Sequence, residues 1–175
     1  MQHSQTKNKK TKIYCVLIAM CFSMLFCSCG NNKPPAEMPA DFDFILDFNY
    51  AFTVDTYEKT LTETDKYTME TAYQVKFSFT DKQLENIYAE FVDLNIYKIE
   101  NGTDVGEIEV IPPIGVFLTY TMNGETISIQ CTDNYLSGRS KKEKKNFVAF
   151  TDFIIAYIAG SEEYIDAPHI PYAFE

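Results

Sequence analysis

Asn123-Gly124, set between two β-rich runs, constrains this chain more than any other pair of residues. The type I′ two-residue hairpin turn needs positive φ at both central positions, and Asn-Gly adopts them most easily. The turn fixes the register, because paired positions must then sum to 247. Leu118 faces Ile129, Tyr120 faces Ile127 and Val116 faces Cys131, while Thr119–Ser128 and Thr121–Thr126 take the opposite side. One face is apolar and the other polar, as a half-buried hairpin requires. Cys131 lands on the apolar face, where a lone thiol acts as a small apolar filler rather than a nucleophile.

A second stretch alternates just as clearly. In residues 41–50, Phe42, Phe44, Leu46, Phe48 and Tyr50 fall on one side, and Asp41, Asp43, Asp47 and Asn49 on the other. This predicts a half-buried strand. Its carboxylates could attract Ca²⁺, but the glycine and terminal glutamate of a calcium loop are missing, so the acidic side is expected to be a solvated face. From Val54 to Phe79 the chain is rich in Thr, Tyr and Val, with a turn at Glu63-Thr64-Asp65-Lys66. Two or three further strands fit there, the last from Tyr73 to Phe79.

The period then changes. Thr80-Asp81-Lys82-Gln83 has the form of a capping box, and Leu84, Ile87, Tyr88, Phe91 and Leu94 follow at helical spacing. Asn101-Gly102 marks a turn, and Pro112-Pro113 interrupts any strand near it. Ser140-Lys141-Lys142-Glu143 is a second capping-box pattern. It precedes the stripe Phe147, Phe150, Ile154, Tyr157 and Ile158, with Gly160 placed to end the helix. The tail from Ser161, with Pro168 and Pro171, is expected to pack irregularly. The order β-β-β-α-β-β-α predicts a two-layer α+β domain over residues 41–175. Its antiparallel sheet should have about five strands, with two helices on one face.

Of five cysteines only Cys131 lies in that domain, so no internal disulfide can stabilise it and the hydrophobic core must suffice. Some 135 residues supply one core rather than two.

The other cysteines lie in a different kind of sequence. Lys7, Lys9, Lys10 and Lys12 precede Ile13 to Phe26, fourteen residues without a charge. A helix of that length covers ~21 Å, short of the ~30 Å hydrocarbon core, so residues 1–28 fit an export signal better than a permanent span. In Leu25-Phe26-Cys27-Ser28-Cys29, the small Ser28 stands before Cys29, and the segment resembles a bacterial lipoprotein signal. The resemblance implies cleavage before Cys29 and acylation of its sulfur and amino group, leaving Cys29 as the lipidation site. Cys27 and Cys29 have one intervening residue rather than two and no second ligand pair, which disfavours redox or metal chemistry. Several acyl chains at ~0.8 kcal/mol per buried CH₂ would hold the chain on a membrane. Residues 29–40, with Asn31, Asn32, Pro34, Pro35 and Pro39, form a tether that reaches about 35 Å when extended.

Four of the 15 basic residues and none of the 25 acidic ones precede Cys29, so the remainder carries a formal charge of −14, 11 basic against 25 acidic. Nucleic acid is thereby disfavoured as a partner, because its binding relies on Lys and Arg neutralising phosphates.

The aromatic strand after the tether, Thr80-Asp81-Lys82-Gln83-Leu84-Glu85-Asn86-Ile87-Tyr88 and Ser161-Glu162-Glu163-Tyr164 together resemble small envelope lipoproteins of bacteria. The resemblance implies a compact α+β domain and a place in the cell envelope, and it carries no activity.

Catalytic material is sparse. The histidines are His3, in the signal, and His169, in the tail; there is no nucleophile elbow, P-loop or dinucleotide fingerprint, and no cofactor is expected. Glu107 and Glu109 lie in a region without a pattern. One cluster stands out: Arg139, Lys141, Lys142, Lys144 and Lys145 gather at a predicted helix start. Cations there oppose the helix dipole, whereas the helix N-terminus itself favours anions, so an anionic ligand or partner is the functional reading of the five. The expected function is therefore a lipid-anchored, non-enzymatic envelope protein that binds another protein or an envelope component. Two alternatives are an acidic inhibitor or immunity-type protein blocking a basic target, and a carboxylate-dependent hydrolase.

Overall fold

The computed structural model describes residues 34, 36–48, 51–65, 70–106, 115–132 and 142–167. Seven strands form one sheet: β1 (Asp43–Phe48), β2 (Phe52–Asp55), β3 (Thr60–Thr64), β4 (Thr71–Lys76), β5 (Thr103–Asp104), β6 (Val116–Met122) and β7 (Glu125–Cys131). Among the described residues three α-helices accompany them, α1 (Asp81–Asp93), α2 (Lys142–Ala159) and α3 (Glu162–Ile165), with a 3₁₀ turn at Ile96–Lys98 after α1. The chain is thus α+β.

The strand order is β4-β3-β2-β1-β6-β7-β5. β1 to β4 form a meander on one side of β1, and the β6–β7 hairpin extends the sheet on the other. These pairs are antiparallel, but β5 runs parallel to β7, so the sheet is mixed rather than wholly antiparallel. Seven strands replace the expected five or so. The two-residue β5 is held by Gly102 N–H donating to Ser128 O (2.8 Å) and Val105 N–H donating to Gln130 O (2.8 Å). So short a strand has no periodicity to be read. The expected last strand of the meander, Tyr73 to Phe79, is shifted: β4 ends at Lys76, and Phe77 and Phe79 turn into the core.

The register decides what the core contains. The β6–β7 pairing is the one the Asn-Gly turn dictates, including Leu118↔Ile129, Tyr120↔Ile127 and Val116↔Cys131. Asn123 has φ 55° and Gly124 φ 77°. Thr119–Ser128 (3.0 Å) and Thr121–Thr126 (2.9 Å) bond hydroxyl to hydroxyl on the other face. Across the sheet, Ile129, Leu118, Leu46, Val54, Leu61 and Val75 are successive cross-strand neighbours, an aliphatic row running over six strands.

The capping box of α1 is present: Gln83 N–H donates to Thr80 Oγ1 (3.3 Å), and Thr80 N–H donates to Gln83 Oε1 (2.8 Å). Ile87, Tyr88 and Phe91 then face inward. Phe91 joins the layers, with ring centroids 4.8 Å from Tyr120 of β6, 5.7 Å from Phe150 of α2 and 5.4 Å from Phe42. α2 stops before Gly160, as expected. The tail does not begin irregularly, however: Ser161 caps α3 by accepting from Tyr164 N–H (3.2 Å), and Glu162 and Glu163 suit its first turn. Tyr164 in turn meets Phe52 edge-on at 6.3 Å.

Cys29, Ser140, Glu107, Glu109, Pro112, Pro113 and the chain from Pro168 lie outside the described residues.

Candidate functional site

The predicted basic cluster falls at the start of α2. Arg139 and Lys141 lie outside the described residues. Lys142 and Lys145 are exposed, but Lys144 is fully buried at 1% exposure, on the inward side with Phe147. A helix beginning at Lys142 places residue 144 three positions before Phe147 and so on the same face. Lys144 therefore presents no ammonium to the surface that carries Lys142 and Lys145.

A cation that the sequence did not associate with the cluster comes from another element. α1 ends with Leu94 as its C-cap, Asn95 takes a left-handed conformation (φ 59°), and the 3₁₀ turn folds the chain back with Ile96 and Ile99 buried. This brings Lys98 beside the start of α2. Asn146 Nδ2 donates to Leu94 O (2.6 Å) and ties α2 to the end of α1. Between them lies a recess of about 210 Å³, lined by Leu94, Asn95, Lys98, Ile99, Lys142, Glu143 and Asn146. Two lysines and one glutamate are among its lining residues. Lys98 Nζ also stands 5.3 Å from the Tyr97 ring centroid, within cation–π range. Among the described residues the ion pair is elsewhere, between Lys82 and Glu85 (3.2 Å). Such a recess favours an anionic group, because two lysines line it against a single glutamate. Asn95, three residues before Lys98, was the available signal for it, but sequence alone does not say where the chain turns after a helix.

The acidic side of β1 is not a single cluster. Asp41 accepts from the N–H groups of Asn123 (3.0 Å) and Gly124 (2.6 Å), and so clamps the hairpin turn. These two bonds, Gly124's the larger, hold its carboxyl below the usual value of 3.8. Asp43 accepts from Thr56 Oγ1 (2.8 Å), and Thr56 Oγ1 in turn accepts from Phe44 N–H (2.8 Å). Asp104, on β5, accepts from Gly106 N–H (2.8 Å), Thr132 N–H (3.2 Å) and the Thr132 hydroxyl. Each carboxylate is tied to a different loop. Among the described residues no group of three His, Cys, Asp or Glu side chains could hold a metal ion.

Tyr120 lies on the core side, and its phenol is pushed up to about 12, first by burial and then by Glu125. Burial also raises Tyr88. Cys131 is a buried thiol on the core face of β7 and forms no disulfide among the described residues. Among the described residues no helix is long and apolar enough to cross a membrane. No protein-family model matches the chain, and no curated protein matches it.

Proposed function

We propose that this chain is a non-enzymatic cell-envelope lipoprotein, anchored through acyl chains on Cys29, whose domain binds an anionic segment of a partner protein or envelope component at the start of α2. The recess between Lys98 and Lys142 is the observation that supports this reading. It concentrates positive charge on a chain whose portion from Cys29 on carries −14, 11 basic against 25 acidic residues. An anionic partner is repelled by most of such a surface and attracted at this point, which sets its orientation. Lys145 and, beyond the described residues, Arg139 and Lys141 extend the basic region along the chain. Lys144 is excluded from the contact by its burial.

In-cell crosslinking followed by affinity capture of the full chain tests the site. A variant carrying Lys98→Glu, Lys142→Glu and Lys145→Glu should lose the captured partner by at least about tenfold, the ~1.4 kcal/mol that separates decades of affinity. Equal capture by wild type and variant would remove the recess from consideration. Cys29→Ala tests the anchor separately, and the protein should move to the soluble fraction. Retention of an unprocessed chain in the membrane would refute acylation at Cys29.

A further inference from the structure

The two edges of the sheet are built differently. β5 closes one edge with two residues, and its Asp104 side chain is bonded back to Thr132. β4 forms the other edge with six residues, Thr71–Lys76, and contains no proline. Proteins generally shorten, charge or cover an exposed edge strand, because its unpaired N–H and C=O groups can pair with another chain.

The hydrogen-bond phase shows which groups of β4 face outward. Phe77 N–H donates to Lys59 O (2.9 Å), which makes 59/77 a bonded pair, and with Leu61↔Val75 the bonded pairs then alternate inward. The main-chain groups of Gln74 and Lys76 therefore point away from β3. Among the described residues no strand lies beyond them. On the core face, the aliphatic row Ile129–Leu118–Leu46–Val54–Leu61 is fully enclosed, and it ends at Val75, which is only half-buried.

We propose that this edge pairs with β4 of a second copy of the chain. In an antiparallel pairing with positions summing to 150, Gln74 and Lys76 of each copy bond to Lys76 and Gln74 of the other. All the outward groups of these two residues are then used, and the shift in register between Glu63 and Thr64 is left undisturbed. Val75 meets its own counterpart across the two-fold axis, so the aliphatic row continues from one sheet into the next. Side chains alternate along the strand, and Lys76 lies opposite Gln74 of the other copy rather than opposite a like charge. The edge is also where two strongly anionic copies can approach. Among the described strands only β4 and β6 carry no carboxylate, and β6 is interior.

The full chain with Val75→Cys tests the register. Residues facing each other in a non-bonded antiparallel pair have Cβ atoms about 4.5–5.5 Å apart, close enough for modest adjustment to form a disulfide. Wild type under the same mild oxidation controls for the native cysteines. Val75→Cys should give a linked species of twice the chain mass. Thr71→Cys, far from its counterpart in this register, should give at least tenfold less. Gln74→Pro added to Val75→Cys should remove the link, since it deletes an outward N–H that no intrachain bond uses. Lys76→Pro repeats the test at a second outward position, and each proline variant is compared at unchanged melting temperature. The proposal is overturned if Val75→Cys gives no doubled mass, if it links to a chain of another mass, if Thr71→Cys links as well, or if folded proline variants leave the link intact.

Discussion

Replacing Phe91 by Ala probes the joint on which the two layers depend. The side chain is 1% exposed and touches three different parts of the fold: Phe42 before β1, Tyr120 on β6 and Phe150 on α2. Truncating a buried Phe to Ala costs about 3–5 kcal/mol through lost transfer energy and the cavity that remains. Phe91 belongs at the upper end, because five rings surround it, Tyr88 and Tyr97 as well as these three, and each aromatic pair adds about 0.5–1.5 kcal/mol beyond its area. With a urea slope of roughly 2 kcal/mol/M, a loss of about 5 kcal/mol moves the unfolding midpoint down by about 2.5 M. That is a large share of the 5–15 kcal/mol typical of a domain. Equilibrium urea unfolding of the full chain, followed by far-UV circular dichroism, measures the shift. Val92→Ala, the half-buried neighbour, is the internal comparison and should cost about 1 kcal/mol. If Phe91→Ala shifts the midpoint no more than Val92→Ala, α1 does not seat Phe91 between β6 and α2. A double-mutant cycle with Phe150→Ala should return a coupling of about 0.5–1.5 kcal/mol; additivity would refute the ring contact.

Other perturbations read other parts of the structure. At Gly115 a Cβ would collide with the backbone at Cys131 and Thr132, so Gly115→Ala should lower the melting temperature by several degrees; an unchanged melt would contradict the close approach. Asp41, with its folded pKa lowered by the Asn123 and Gly124 N–H groups, contributes stability that is present above the unfolded value near ~3.9. That stability is lost as pH falls through the folded one. The melting difference between wild type and Asp41→Asn should therefore be widest near neutrality and close in acid, and a constant difference would count against the clamp. Tyr120 runs the other way. Its raised pKa of about 12 leaves its contribution complete below ~10 and erodes it as pH rises from there toward 12. Subtracting the phenolate absorbance titration of Tyr120→Phe from that of wild type should isolate one phenol ionising near the top of that range, and a difference curve centred at ~10 would place the ring in water.

The fold was legible wherever a local rule and burial agree. Asn123-Gly124 set a register that needed no tertiary information, because a two-residue loop leaves no slack. Thr80 to Leu94 combined a cap, a period and a stop. What was missed had no local period to carry it. β5 is two residues held by bonds to a strand more than twenty positions later, and α3 is a single turn. Alternation also failed to show that Glu63 is buried on the core face of β3, where its cross-strand neighbours are Phe52 and Tyr73. Thr60, Thr62 and Thr64 mark the outward face, and an inward carboxylate conveys no pattern.

The basic cluster shows where reading charge from sequence breaks down. Adjacent lysines look like one patch on paper, but a helix spreads them around its axis at about 100° each. Lys142 and Lys145 are three residues apart and share a side, while Lys144 falls with Phe147 and is enclosed. The position it leaves is taken by Lys98, forty-four residues before Lys142 in the chain and carried there by the turn after α1. A charge cluster in sequence therefore predicts that a face will be basic more reliably than it predicts which residues form it. The same argument separates the two lysines experimentally. Lys98→Glu changes the recess and leaves the α2 sequence intact, so loss of the captured partner in that single variant would assign binding to the assembled recess. Loss confined to Lys145→Glu would instead assign it to the exposed side of α2.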